Sequence, residues 1–105
     1  MELVLSTCAN LEEAKKIATT LVKERLAACV NIVPQILSIY EWEGLQEDKE
    51  VLLLIKTRSL ELVEERIKEL HSYEVPEIIA IKIDEGSQEY LEWMDRILVQ
   101  YHKKR

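Results

Sequence analysis

Apolar positions along the chain change their period several times, and each change predicts an element. Residues 2 to 8 are short-range apolar and β-branched and predict a first strand, ending where Asn10 opens something new. Asn10 and Glu13 form a capping box, after which Leu11, Ala14, Ile17, Ala18, Leu21 and Val22 recur at helical spacing, predicting a helix through about Ala28. From Cys29 to Trp42 the side chains become β-branched and aromatic. Pro34 removes one ladder donor within this run, so the pattern predicts a long strand with a bulge or an exposed edge. A polar connection over residues 43 to 49 leads to Val51-Leu52-Leu53-Leu54-Ile55, which reads as a strand buried on both faces and completes a hairpin. Ser59 is placed to cap a second helix with Leu60, Val63, Ile67 and Leu70 on one stripe, ending near His71-Ser72. Glu77 to Ile83 predicts a fourth strand. Ser87 then caps a third helix that carries Leu91, Met94, Ile97, Leu98 and Tyr101 on one side.

The resulting order, βαββαβ plus one helix, is that of an α+β ferredoxin-like antiparallel sandwich with an additional C-terminal helix. Right-handed crossovers place the strands in the spatial order four, one, three, two, with the first two helices on one face. The opposite face carries the alternate side chains of Val51 to Ile55 and Ile78 to Ile81, more apolar surface than the third helix covers. Each methylene left in water forgoes about 0.8 kcal/mol, so the pattern predicts self-association.

With 105 residues, only two Gly and two Pro, and 48% hydrophobic side chains, the chain is read as one folded domain over residues 1–105. The net charge of −6 leaves no basic stripe for phosphate, which argues against nucleic acid or an anionic membrane as partner. The tail His102-Lys103-Lys104-Arg105 reads as a solvated terminus. No long apolar run and no cationic leader occur, so a cytoplasmic location is expected, with Cys8 and Cys29 as thiols. GxGxxG, P-loop, HExxH and GxSxG signatures are absent. Two histidines are few for acid–base work, so no enzyme activity and no organic cofactor are expected.

Five strings carry a resemblance: Leu26-Ala27-Ala28-Cys29-Val30-Asn31, Ser38 to Gly44 (SIYEWEG), Glu50 to Thr57, His71 to Ile78 (HSYEVPEI), and Tyr90-Leu91-Glu92-Trp93. In order and spacing these resemble the CutA family of divalent-cation tolerance proteins. The resemblance implies a homotrimer of ferredoxin-like subunits whose sheets pack together and whose long hairpins reach across neighbours. It implies a role in tolerance of, or response to, divalent metals, with copper binding in some members. Ser6 departs from the pattern, standing where copper-binding members carry cysteine before the threonine that matches Thr7. Ala9, Gln35 and Ser72 also differ, at turn positions.

The topology brings the end of the first strand, the end of the second helix and the start of the fourth strand to one edge of the sheet. Cys8, His71 and Glu77 are therefore the candidate metal ligands, a thiol, imidazole and carboxylate set suited to copper or zinc. Tyr40, Trp42, Tyr73 and Trp93 are the candidate interface or cleft aromatics. Plain structural roles compete with these. A histidine at a helix C-terminus is favoured by the helix dipole, and an unbridged cysteine commonly packs as a small hydrophobe. Two other functions remain open: a trimeric effector-binding protein of the PII signalling type, with Lys56, Arg58 and Lys82 as anion contacts, or a trimeric scaffold for a partner protein.

Overall fold

Short polar caps start each helix of the computed structural model, which describes residues 1–100. Strand β1 (Glu2–Cys8) leads to helix α1 (Leu11–Lys23), where the Asn10 side chain accepts the Glu13 N–H at 2.8 Å. The long hairpin of β2 (Ala27–Glu41) and β3 (Leu45–Thr57) follows, then α2 (Leu60–Leu70), β4 (Ile78–Lys82) and α3 (Gln88–Ile97). Ser59 and Ser87 cap α2 and α3, accepting the N–H groups of Glu61 and Tyr90. The four strands form one antiparallel sheet in the order β2-β3-β1-β4, the order read from the sequence.

Two boundaries differ from the sequence reading. Helix α1 stops at Lys23 because Arg25 takes a left-handed conformation (φ 59°). The Glu24, Arg25 and Leu26 amides then close the last turn onto Thr20, Val22 and Leu21 carbonyls. A glycine usually marks such a stop, and none is present. The polar run 45–50 is strand: Leu37 pairs Lys49, Ile39 pairs Glu47 and Glu41 pairs Leu45. Backbone pairing carries the hairpin outward where neither face has a core, and the turn is only Trp42-Glu43-Gly44, with positive φ at Glu43 and Gly44. The bulge at Pro34 and Gln35 is present, as a register shift between Val33 and Ile36 on an edge strand. Tyr101 and the basic tail lie outside the described residues.

Alternation along the strands divides the apolar side chains between two faces. Val4, Cys8, Val51, Leu53 and Ile55 meet Ala14, Ile17 and Leu21 of α1 and Val63 and Ile67 of α2 in the main core. On the other face α3 covers one end, packing Met94 and Leu98 on Ala28. Arg58 ties that helix down. It donates to Asp95 Oδ1 at 2.6 Å and Val99 O at 3.1 Å, with longer contacts to the Asp95 and Leu98 carbonyls. Leu52 and Leu54 are only half-buried, so within one chain Val51–Ile55 is buried fully on one face rather than both. Ile79 and Ile81 on the same open face are 51% and 52% exposed.

Candidate functional site

Cys8 closes β1, and its side chain points to the helix-covered face. There α1 begins and α2 ends, so three donors from three elements converge. Cys8 Sγ, a Glu13 carboxylate oxygen and a His71 ring nitrogen lie within 4.8 Å of one another. The His71 side chain is fully buried at the C-cap of α2. Its Nε2 sits 2.7 Å from the Thr7 carbonyl, which can only accept, so Nε2 carries the proton. Nδ1 accepts the Tyr73 N–H at 3.0 Å and stands 3.4 Å from Glu13 Oε1. The Ser72 N–H also points to Glu13 Oε1, at 3.5 Å.

Burial pushes the Cys8 thiol up to about 12, with the nearby charges of Glu13 and Glu50 adding to the effect. The thiol is therefore protonated at neutral pH. Binding an ion would require loss of that proton, which a bound cation itself promotes, and Nδ1 would be taken in competition with the Tyr73 N–H. The donor types fit a borderline ion such as copper or zinc on those terms.

Of the ligands expected from the sequence, Cys8 and His71 are brought together and Glu77 is not. Glu77 is exposed just ahead of β4, and the carboxylate that joins the pair is Glu13 from the first turn of α1. In the sequence Glu13 served only as half of a capping box. Its backbone N–H does make the capping bond, while its side chain turns away to His71.

Thr7 sits one residue before Cys8, so its side chain emerges on the opposite face. It lines a cleft of about 710 Å³ between the hairpin and residues 73 to 77, together with Tyr40, Trp42, Glu50, Tyr73 and Glu77. Three of the four aromatics singled out in the sequence thus share one cleft. Trp93 is instead on α3, packed against the Met94 cluster with its ring 5.3 Å from that of Tyr90. The Tyr73 hydroxyl donates to Glu50 Oε2 at 2.8 Å, and burial, that bond and the Glu50 charge raise the phenol above its ordinary range. Tyr40 donates to Asp48, which raises the Tyr40 phenol too. Tyr73 consequently links the two regions, with its amide on His71 and its hydroxyl on Glu50. A second, more open cleft over Asp84 to Arg96 joins acidic residues, with no convergent donor set among the described residues.

The anion contacts considered for an effector site are largely committed elsewhere. Arg58 is held by α3, and Lys56 Nζ donates to the Tyr90 hydroxyl at 3.2 Å while lying 5.3 Å from the centre of its ring.

Residues 2–97 match the model of the CutA1 divalent ion tolerance protein family. The divalent-cation tolerance protein CutA of Thermus thermophilus is 54% identical over 96 residues, covering 89% of this chain and 93% of that protein. The chloroplastic protein CutA of Arabidopsis thaliana is also 54% identical, over 94 residues and 87% of this chain. The chain spans only about half of that plant protein's length (52%), as it does of the human protein CutA. Among solved structures, the Thermus thermophilus protein superposes with a TM-score of 0.90 at 51% identity, covering 94% of this chain and 100% of that one. A periplasmic divalent cation tolerance protein CutA from Archaeoglobus fulgidus gives 0.88 at 42% identity, covering 92% and 98%.

Proposed function

From the premise that this chain belongs to the CutA1 divalent ion tolerance family, we propose that it acts in metal tolerance as a self-associated trimer that binds copper or zinc through Cys8, Glu13 and His71, without catalysing a reaction. The observation that carries the reading is the convergence of a thiol, a carboxylate and an imidazole from three separate elements into one buried spot. When bound, the ion would supply a positive charge that compensates Glu13 and the Cys8 thiolate. The protein's part is to hold the donors. Thr7 O fixes the His71 ring by its Nε2 proton, which aims Nδ1 at Glu13.

Self-association is supported by the uncovered sheet face and the hairpin. Ile79 and Ile81 are half-exposed, and Leu37, Ile39 and Leu45 stand out along the hairpin, Leu45 at 77%. Burying such side chains contributes about 25 cal/mol for each Å² of apolar surface, a strong drive to association. We place the protein in the cytoplasm, where its two free thiols stay reduced, although named relatives are chloroplastic or periplasmic.

Sedimentation equilibrium with and without one equivalent of copper or zinc, alongside a His71→Ala variant, tests both parts. A trimer that takes up one ion per chain only when His71 is present supports the proposal. A trimer indifferent to metal removes the ion, and a monomer removes the account of the sheet face.

A further inference from the structure

Two of the donors that an ion would use already hold the chain. Segment 71–77, between α2 and β4, belongs to neither helix nor strand. Two successive amides in it are held by those donors: Ser72 N–H points to Glu13 Oε1 at 3.5 Å, and Tyr73 N–H donates to His71 Nδ1 at 3.0 Å. Tyr73 makes two further contacts. Its ring lies 4.7 Å from the His71 ring, tilted by 46°, and its hydroxyl donates to Glu50 Oε2 on β3 at 2.8 Å. All of these bonds lie within one chain and need no open sheet face.

The number of lone pairs decides what an ion displaces. A carboxylate has several, so Glu13 can meet a cation and keep the Ser72 amide. The ring nitrogen has one. Nε2 is committed to Thr7 O and the His71 side chain is fully buried, so the ring does not turn to offer another edge. The Tyr73 N–H, with its positive end aimed at Nδ1, must therefore leave when a cation arrives. A second observation points to that cation. Nδ1 and Glu13 Oε1 face each other at 3.4 Å, and with the ring proton on Nε2 both are acceptors, so nothing positive joins them.

We propose that ion occupancy at Cys8, Glu13 and His71 is converted into a movement of segment 72–77, with Tyr73 as the relay. The ion takes Nδ1, the Tyr73 amide is released, and the residue gives up its hydroxyl bond to Glu50 as its backbone withdraws. The state of the site is thereby passed to β3 of the long hairpin. This deepens the metal reading and rests on it.

The probe is zinc, added to the full chain, with calorimetry on the parent and on His71→Ala establishing whether binding depends on His71. Amide exchange followed by NMR should speed up at Tyr73 by about fivefold or more with one equivalent of zinc, the loss of one hydrogen bond worth about 1 kcal/mol. The His71 amide, bonded to Ile67 O, should not change. By reciprocity, deleting a bond that zinc must break tightens zinc. Tyr73→Phe should therefore bind zinc about fivefold more tightly than the parent. Tyr90→Phe, which loses the α3 hydroxyl that Lys56 donates to, should bind as the parent does. Zinc bound through His71 with the Tyr73 amide still protected would overturn the relay and leave the metal site standing. So would Tyr73→Phe binding no tighter than Tyr90→Phe. Absence of His71-dependent zinc binding would remove both the relay and the metal site.

Discussion

Two buried hydroxyls of the sheet should respond in opposite directions when deleted. Ser6 Oγ is fully buried on β1 and has no hydrogen-bond partner, the only such side-chain atom found among the described residues. Thr57 Oγ1, equally buried at the end of β3, donates to the Leu26 carbonyl at 2.7 Å. Burying a hydroxyl without a partner costs about 1–3 kcal/mol. Ser6→Ala removes that cost. The void it leaves is about one oxygen, which at roughly 24 cal/mol per Å³ gives back only a few tenths of a kcal/mol. The net expectation is stabilisation by about 1 kcal/mol. Thr57→Val keeps the shape but takes the donor from the Leu26 carbonyl, and should destabilise by about 1–3 kcal/mol. Guanidinium unfolding followed by circular dichroism, with all proteins at one chain concentration because assembly couples to stability, reads both shifts. The midpoint should rise for Ser6→Ala and fall for Thr57→Val with unchanged slope. A fall for Ser6→Ala as large as that for Thr57→Val would refute the reasoning, since it would mean that the serine hydroxyl is satisfied.

Arg58→Ala removes the side chain that gathers Asp95 and the carbonyls at the end of α3, and should cost about 2 kcal/mol; amide exchange of α3 should accelerate while that of α1 does not. The raised Cys8 thiol makes stability depend on alkaline pH. The folded protein holds this proton more tightly than the unfolded chain, whose thiol titrates near 9.0, so the contribution is complete below that pH and is lost as pH rises toward about 12. Cys8→Ala should flatten that alkaline decline in a thermal-denaturation series. At pH 8, iodoacetamide should label the half-buried Cys29 and spare Cys8, read by peptide mass, and equal labelling would contradict the buried, protonated thiol.

The elements were legible because their signals are local. Asn10, Ser59 and Ser87 cap helices in the structure as their sequence neighbourhood indicates, and Pro34 marks the bulge. The sequence was silent where backbone geometry overrode residue type. Arg25 ends α1 in a conformation that usually calls for glycine, and polar residues 45 to 50 extend β3 because Leu37 and Ile39 pair with them across the hairpin. The site was half legible for the same reason. The convergence of Cys8 and His71 follows from strand order alone. The choice of Glu13 over Glu77 depends on which way the first turn of α1 faces, and a capping-box residue gives no hint of a second use. Glu50 carried no signal among many acidic positions until the Tyr73 hydroxyl was found on it.

The central claim, a metal ion held by Cys8, Glu13 and His71, is tested most directly by anomalous diffraction from crystals of the protein grown with zinc. The account predicts one strong peak per chain, bonded to Cys8 Sγ, a Glu13 oxygen and His71 Nδ1, and lost in His71→Ala. Zinc found only at exposed carboxylates, with the His71 ring still accepting the Tyr73 N–H, would contradict it.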